Sequence, residues 1–316
     1  MLKVAFIGAG GRAKSAHYPN VSRLEDVQIE AVAELDEDLM SQVVEQYHIP
    51  QSFSDYHEML DRVDPDIVYV IMKDIFMTKP ALDCLNAGKH VFIEKPPGAN
   101  CEEVQQLRDA AVANNVTCSV GHQRRFAAVT LEAMRRVRAG SEPTLAIGEF
   151  HKNLLNGPIP NTSTMWDDVG HVVDLVRYMV QSEVVEVTAY QDNHQTEWKN
   201  CYNALIRFAN KAVGIITANR SSGGRVLSAE LHGVGVGCYL QIPEQISVLE
   251  GKDGPKVLSG AEAAGLDPDT ERFEYEGTLT MHRHVVESIQ KGEIPNNDIR
   301  DVIHTYQLVA QIEGDR

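Results

Sequence analysis

Through the first 120 residues, short apolar runs alternate with stretches in which apolar positions recur every three or four residues. The runs Lys3–Ile7, Val27–Ala33, Ile67–Ile71, His90–Ile93 and Thr117–Val120 predict strands. Leu39–Tyr47, Ala81–Ala87 and Cys101–Asn114 predict helices between them, with Asp36 and Asn100 placed as N-caps. This alternation is the sequence form of a parallel α/β sheet. After Gly121 the texture changes. A helical segment, Ala127–Ala139, leads into strand-like Thr144–Phe150, a loop rich in Asn, Gly and Pro to about Thr164, and a helix over Asp167–Val180. Extended runs follow at Val184–Tyr190, Tyr202–Phe208, Val213–Asn219, Leu227–His232, Gly237–Ile242 and Ile246–Leu249. Turns such as Ala209–Asn210–Lys211 and Ser222–Gly223–Gly224 separate them, which predicts a mainly antiparallel sheet. Helices over His282–Lys291 and Ile299–Glu313 close the chain. The pattern thus predicts two α/β domains, residues 1–121 and 122–316.

A length of 316 residues agrees with two domains rather than one. The formal charge of −16 leaves no basic excess to neutralise phosphates, which argues against a nucleic-acid partner. Arg135, Arg136 and Arg138 form a local cluster that reads as a solvated helix face. The five cysteines, Cys84, Cys101, Cys118, Cys201 and Cys238, include no C-x-x-C pair and read as small buried side chains in a reducing compartment. Met1–Ile7 reads as a buried strand rather than a leader, and no apolar run is long enough to cross a bilayer. The expected setting is cytoplasmic, with no membrane partner.

Gly8–Ala9–Gly10–Gly11–Arg12–Ala13 fits G-x-G-x-x-G/A, follows an apolar strand and opens a helical segment. In that context it predicts a dinucleotide site on a Rossmann sheet. Gly8 permits the tight turn, Gly10 lets backbone approach a pyrophosphate, and the small Ala13 lets helix and strand pack closely. The pyrophosphate would face free N–H groups at a helix N-terminus. Arg12 has two open readings, a pyrophosphate contact or a surface side chain. Glu34, at the tip of the second strand, is placed to accept hydrogen bonds from the adenosine ribose and repel a 2′-phosphate. Leu35 follows with no cation beside it, so NAD is expected in preference to NADP. Glu30 lies inside the strand and Asp36 serves better as a cap.

Two segments carry candidate chemistry. Glu94–Lys95–Pro96–Pro97 stands at the end of the fourth or fifth strand, where open α/β sheets place their ligands. Pro96 keeps Lys95 out of helical geometry, and a cation there can stabilise an oxyanion; the competing reading is a surface lysine. In Trp166–Asp167–Asp168–Val169–Gly170–His171–Val172–Val173–Asp174, a regular helix puts Asp167, His171 and Asp174 on one face, opposite an apolar stripe of valines. That line suits an imidazole handling a proton, against the plainer reading of a solvated face. No partner His or Cys completes a metal set, and no metal is expected.

Taken in order, the glycine turn, the run Ala87–Gly88–Lys89–His90–Val91–Phe92–Ile93–Glu94–Lys95–Pro96 and D-x-x-x-H-x-x-D resemble the glucose–fructose oxidoreductase and inositol dehydrogenase (Gfo/Idh/MocA) family. The resemblance covers essentially the whole chain. It implies a Rossmann domain followed by an α/β domain whose large, open, mostly antiparallel sheet joins subunits, as a homodimer or homotetramer. It implies NAD- or NADP-linked oxidation or reduction of secondary hydroxyls of sugars and cyclitols. Lys95 matches the family's active-site lysine, His171 its general acid/base, Asp167 the accompanying carboxylate and Asp174 the second acid. His171 would remove the alcohol proton as hydride leaves carbon, with Lys95 steadying the alkoxide, in the cleft between the domains. Glu94 and Lys95 join the glycine turn as cofactor-binding candidates.

Two departures stand out. Met72–Lys73–Asp74 and Met77 replace the family's frequent Thr-Pro-Asn and His, in a loop that puts Met72 near the cofactor. Gly170 directly precedes His171, where Gly-x-His is more common. Gln123 and Arg125 lie in a segment that approaches nicotinamide or substrate in the family, against a packing role. His151, Lys152 and Trp166 flank the loop 153–164 and are substrate-binding candidates, whereas His17, His282 and His284 read as structural. Two rival functions share these residues. One is a glycosidase that oxidises a sugar transiently with NAD and eliminates its aglycone; the other is a non-catalytic NAD-sensing regulator, which the presence of Lys95, Asp167 and His171 disfavours. The substrate has no motif of its own.

Overall fold

The computed structural model describes residues 1–156, 162–252 and 254–314. Six strands, β1 (Leu2–Ile7), β2 (Val27–Ala33), β3 (Gln51–Phe53), β4 (Ile67–Val70), β5 (His90–Ile93) and β6 (Cys118–Val120), form a wholly parallel sheet in the order β3-β2-β1-β4-β5-β6. Residues 4–7 of β1 and all of β4 and β6 are buried, as parallel strands covered on both faces must be. A π-helical turn (Ala13–His17) running into α1 (Tyr18–Val21), then α2 (Glu37–Tyr47), α3 (Tyr56–Val63), α4 (Asp74–Asn86) and α5 (Cys101–Ala113), connect the strands. The strand order reverses between β1 and β4, which is where such sheets bind ligands.

Asp36 and Asn100 cap as expected: Asp36 Oδ1 accepts from the Asp38 and Leu39 N–H groups at 3.0 Å, and Asn100 Oδ1 from Glu103 N at 3.0 Å. β3 and α3 were not legible. β3 has three residues, only Phe53 of them apolar and buried, so it leaves no periodic signal. With β3 present, Glu94 follows the fifth strand. α4 starts seven residues before the expected Ala81, because Pro80 lies inside it rather than ahead of it.

The second sheet has eight strands: β7 (Leu145–Asn153), β8 (Val184–Asp192), β9 (Cys201–Phe208), β10 (Val213–Asn219), β11 (Ser221–Gly233), β12 (Val236–Gln241), β13 (Gln245–Glu250) and β14 (Lys256–Ser259). Their order is β14-β13-β12-β11-β7-β10-β9-β8, antiparallel except for the β7–β10 pair. Ser222–Gly223–Gly224 is not a turn between strands. It lies within β11, where the register with β7 slips between Ser221 and Val226, so the glycines serve a bulge. A π-helical turn (Met165–Val169) leads into α7 (Gly170–Val180), while α6 (Ala128–Arg138), α8 (Gly260–Ala263), α9 (Thr278–Lys291) and α10 (Ile299–Glu313) complete the α-helices among the described residues.

α7 packs close against the sheet because two strand residues lack side chains. A Cβ on Gly148 of β7 would lie 2.4 Å from Val172 and 2.7 Å from Val176, and one on Gly214 of β10 would lie 3.1 Å from Val176. Val169, Val172, Val173 and Val176 are fully buried, so the apolar stripe of the pattern is the face that fixes α7.

The chain forms two compact units: Met1–Gly121 with Met281–Ile303, and His122–Thr280 with His304–Arg316. The second unit is therefore not the continuous stretch 122–316. Residues 281–303 return to the first sheet, where Asn297 exchanges hydrogen bonds with Val120 at 2.9 Å and Asp298 Oδ2 accepts from Cys118 N at 2.9 Å. No described helix is long and apolar enough to cross a membrane.

Candidate cofactor and active site

The glycine turn begins one residue past β1. Gly8 has φ +107°, and a Cβ there would sit 2.2 Å from the Ile71 carbonyl oxygen, so no other residue fits. Gly10 and Gly11 differ: a Cβ on either would meet no atom within 4 Å. They border a cavity of about 680 Å³ at the carboxyl ends of β1, β2 and β4. Gly8, Arg12, Ala13, Glu34 and Met72 also line it, so the structure gathers seven predicted cofactor residues around one space. Open backbone at the turn, an acid at the tip of β2 and this volume fit a dinucleotide.

Glu34 is held in place by backbone donors. Its Oε2 accepts from Ala9 N at 2.7 Å, and its Oε1 from Leu35 N at 2.8 Å and Asp36 N at 3.1 Å. Lys73 also lines the cavity, a cation that the sequence beside Glu34 does not disclose.

Glu94 and Lys95 are absent from that wall. Glu94 is buried, and its carboxylate serves the protein: Oε1 accepts from Arg12 Nε at 2.7 Å and contacts His17 Nε2 at 2.8 Å, while Oε2 accepts from Lys95 N at 3.0 Å. His17 continues to His282 at 3.1 Å, and His282 to the Tyr69 hydroxyl at 3.3 Å. Burial would push the Glu94 carboxyl up, but His17, Arg12 and Lys95 together hold it below its ordinary range. Burial lowers both histidines. Their packing is the structural role the sequence suggests, and its product is a fixed backbone at Lys95. Arg12 lines the cavity and also pairs with Glu94, a role that neither of its two open readings included.

The second unit carries the Asp–His motif on an altered helix. The π-helical turn ends with Gly170 N bonded to Met165 O, five residues back, so Asp167 does not keep the regular spacing to His171 and Asp174. His171 is half-buried, its ring 6.1 Å from His122 and 6.4 Å from Phe150. Asp167 is also half-buried. Trp166 stacks on Tyr306 with centroids 5.1 Å apart, and His151 Nδ1 accepts from Asn219 N at 3.2 Å. Gln123 is buried in the second unit, in a short 3-10 helix over Gln123–Phe126. The centre of the polar loop, residues 157–161, lies outside the described residues.

Asp174 does not join a solvent-facing line. It is buried on Arg125, with Oδ2 2.8 Å from Nε and Oδ1 2.5 Å from Nη2, and Thr305 Oγ1 donates to Oδ1 at 2.9 Å. Arg125 is itself fully buried in this pair. Burial alone would raise the Asp174 carboxyl; the charges of Arg125 and His122 overcome it and hold the group well below its ordinary value. A depressed folded-state value stabilises above the unfolded value of about 3.9 and loses that contribution as pH falls. Breaking one side of such a pair costs about 3–5 kcal/mol. We therefore expect Asp174→Asn to lower the unfolding free energy by that amount near neutral pH, with the gap to wild type narrowing below about pH 4. Urea midpoints measured across pH check it; a gap independent of pH contradicts it.

Sequence reasoning missed Arg220 and Arg225, which lie between and within strands without any motif. Asp168, named only as part of the motif, is buried and pairs with Lys152 at 2.7 Å.

The family described as an oxidoreductase family with an NAD-binding Rossmann fold matches residues 2–122, and the GFO/IDH/MocA C-terminal domain matches residues 155–235. A 4-carboxy-2-hydroxymuconate-6-semialdehyde dehydrogenase of Sphingobium sp. is 22% identical over 325 residues, covering 99% of this chain and 98% of the relative. The myo-inositol 2-dehydrogenase of Thermotoga maritima is 25% identical over 235 residues, 69% of each chain. Among solved structures, a dehydrogenase from Chromobacterium violaceum superposes with a TM-score of 0.90 at 20% identity, covering 99% of this chain and 95% of that one.

Proposed function

The chain belongs to the Gfo/Idh/MocA oxidoreductase family, an NAD-binding Rossmann domain followed by the family's C-terminal domain, and from that premise we propose that it moves a hydride between nicotinamide and a secondary hydroxyl or ketone of a sugar, sugar derivative or cyclitol. The observation that carries the proposal is the cavity bordered by Gly8, Gly10, Gly11 and Glu34, in a chain that also holds Lys95 and His171 at its two motif positions. NAD supplies the hydride acceptor when bound. Its pyrophosphate is assigned to the glycine turn and Arg12, and its adenosine ribose to Glu34, whose carboxylate repels a 2′-phosphate and favours NAD over NADP. Lys95 donates to the substrate oxygen and stabilises negative charge there. His171 takes the hydroxyl proton in oxidation and returns it in reduction, and Asp167 binds substrate or orients the imidazole. His151 and Trp166 complete the proposed substrate wall.

The cyclitol dehydrogenase among the relatives supports the hydroxyl reading, while the semialdehyde dehydrogenase supports dehydrogenase chemistry more broadly. We assign subunit pairing to the second sheet, whose uncovered side exposes Leu205, Tyr239, Leu249 and Val257. The function is tested by NADH accumulation when protein and NAD meet a panel of sugars, cyclitols and their acids. Accumulation with at least one compound is expected, and a flat panel with NAD bound overturns the proposal.

A further inference from the structure

Three cations gather around one buried ring in the second unit. Arg220 Cζ lies 4.5 Å from the centre of the Phe150 ring, Lys152 Nζ 4.9 Å and Arg225 Cζ 5.5 Å. Arg220 is fully buried, yet its side chain makes one hydrogen bond, from Nη1 to the Phe150 carbonyl at 2.6 Å. Its Nε and Nη2 find no acceptor; Asp168 Oδ2 stands 3.4 Å from Nε without hydrogen-bond geometry. Asp168 Oδ1 is taken by Lys152. Arg225 is exposed, and among the described residues no carboxylate pairs with it.

Burying guanidinium donors without an acceptor is unfavourable, and so is crowding like charges around one ring. Both penalties vanish when an anion arrives. The acids that act on Arg220 are Asp168 and Asp167, and the nearer of them, Asp168, already accepts from Lys152, so the three cations outnumber the carboxylates beside Arg220. That balance suits a monoanion such as a carboxylate better than a phosphate carrying about two charges. The position is apt: the same Phe150 ring lies 6.4 Å from the His171 ring, and Asp168 adjoins Asp167.

We propose that Lys152, Arg220 and Arg225 form a carboxylate-binding subsite around Phe150, so that the substrate is a hydroxylated acid, such as a sugar acid, rather than a neutral sugar. The inference rests on the proposed function, because it takes His171 to mark the reacting centre.

The test measures equilibrium binding to the NAD-saturated protein. Aldonates, uronates and short hydroxy acids are each compared with the neutral analogue, and glucose 6-phosphate stands for the phosphate alternative. An acid from the panel is expected to bind at least about 10-fold more tightly than its neutral partner, the scale of one charge-assisted contact. Arg225→Gln and Lys152→Gln, both at solvent-reachable positions, are expected each to remove about 10-fold of that preference while NAD affinity and the circular dichroism spectrum stay unchanged. The subsite is overturned if acids and neutral partners bind alike, if Arg225→Gln leaves the preference intact, or if the phosphate ester binds best. Acids that bind with this preference while no compound of the panel yields NADH uphold the subsite and refute the oxidoreductase reading. Neutral sugars turned over without acid binding do the reverse.

Discussion

Replacing His171 by asparagine is expected to lower kcat by about 10²–10⁴-fold, the range for loss of a general acid–base group. The helix should survive the change. α7 is seated by Val172 and Val176 over Gly148 and Gly214, and the imidazole is half-buried rather than part of that apolar contact. Asparagine keeps a polar side chain of similar reach but cannot exchange a proton near neutral pH. The limb of the pH–kcat profile that reports the imidazole should therefore disappear with the rate. Steady-state kinetics across pH decide the matter. A loss in kcat with the limb preserved assigns the proton transfer to another group, and a kcat within about threefold of wild type removes His171 from the chemistry.

Lys95→Ala is the second large effect, with kcat expected to fall about 10²–10³-fold, as for deletion of one preorganised donor to a developing oxyanion. The backbone of this lysine is set by a buried carboxylate: Lys95 N donates to Glu94 Oε2, and Glu94 is itself held by Arg12 and His17. Glycine turn, His17 and the lysine segment thus form one rigid unit, in which the side chain can change while its mount stays. NAD affinity should persist, because the cavity wall contains Gly10, Gly11 and Glu34 but not Lys95. Fluorescence titration with NAD beside steady-state kinetics separates the two effects. An NAD affinity that collapses while kcat at saturation holds would make Lys95 a cofactor ligand only. The Lys95→Ala, His171→Asn double variant should be little worse than the slower single variant, since groups that act as a unit are not additive.

Much of this was legible in the sequence because the signals are local. The parallel sheet follows from uniformly apolar runs, the caps from Asp36 and Asn100, and the turn at Gly8 from a backbone that tolerates no Cβ. What escaped was set by distant partners. β3 forms because β2 offers an edge, not because Gln51–Ser52–Phe53 favours a strand. The return of residues 281–303 depends on Asn297 and Asp298 meeting β6. Asp174 looks like an active-site acid by spacing, and only Arg125, 49 positions earlier, shows it to be an anchor. Arg220 carries no motif because its meaning comes from Phe150 and Asp168.

The central claim, net hydride exchange with a substrate hydroxyl, is tested most directly by stoichiometry. Protein, excess NAD and the best compound of the panel are incubated, and NADH and the oxidised product are both quantified. One NADH per molecule of ketone is the predicted result, with both lost together in Lys95→Ala. Product formed by release of a leaving group while no NADH accumulates would contradict it and assign the same residues to transient oxidation and elimination.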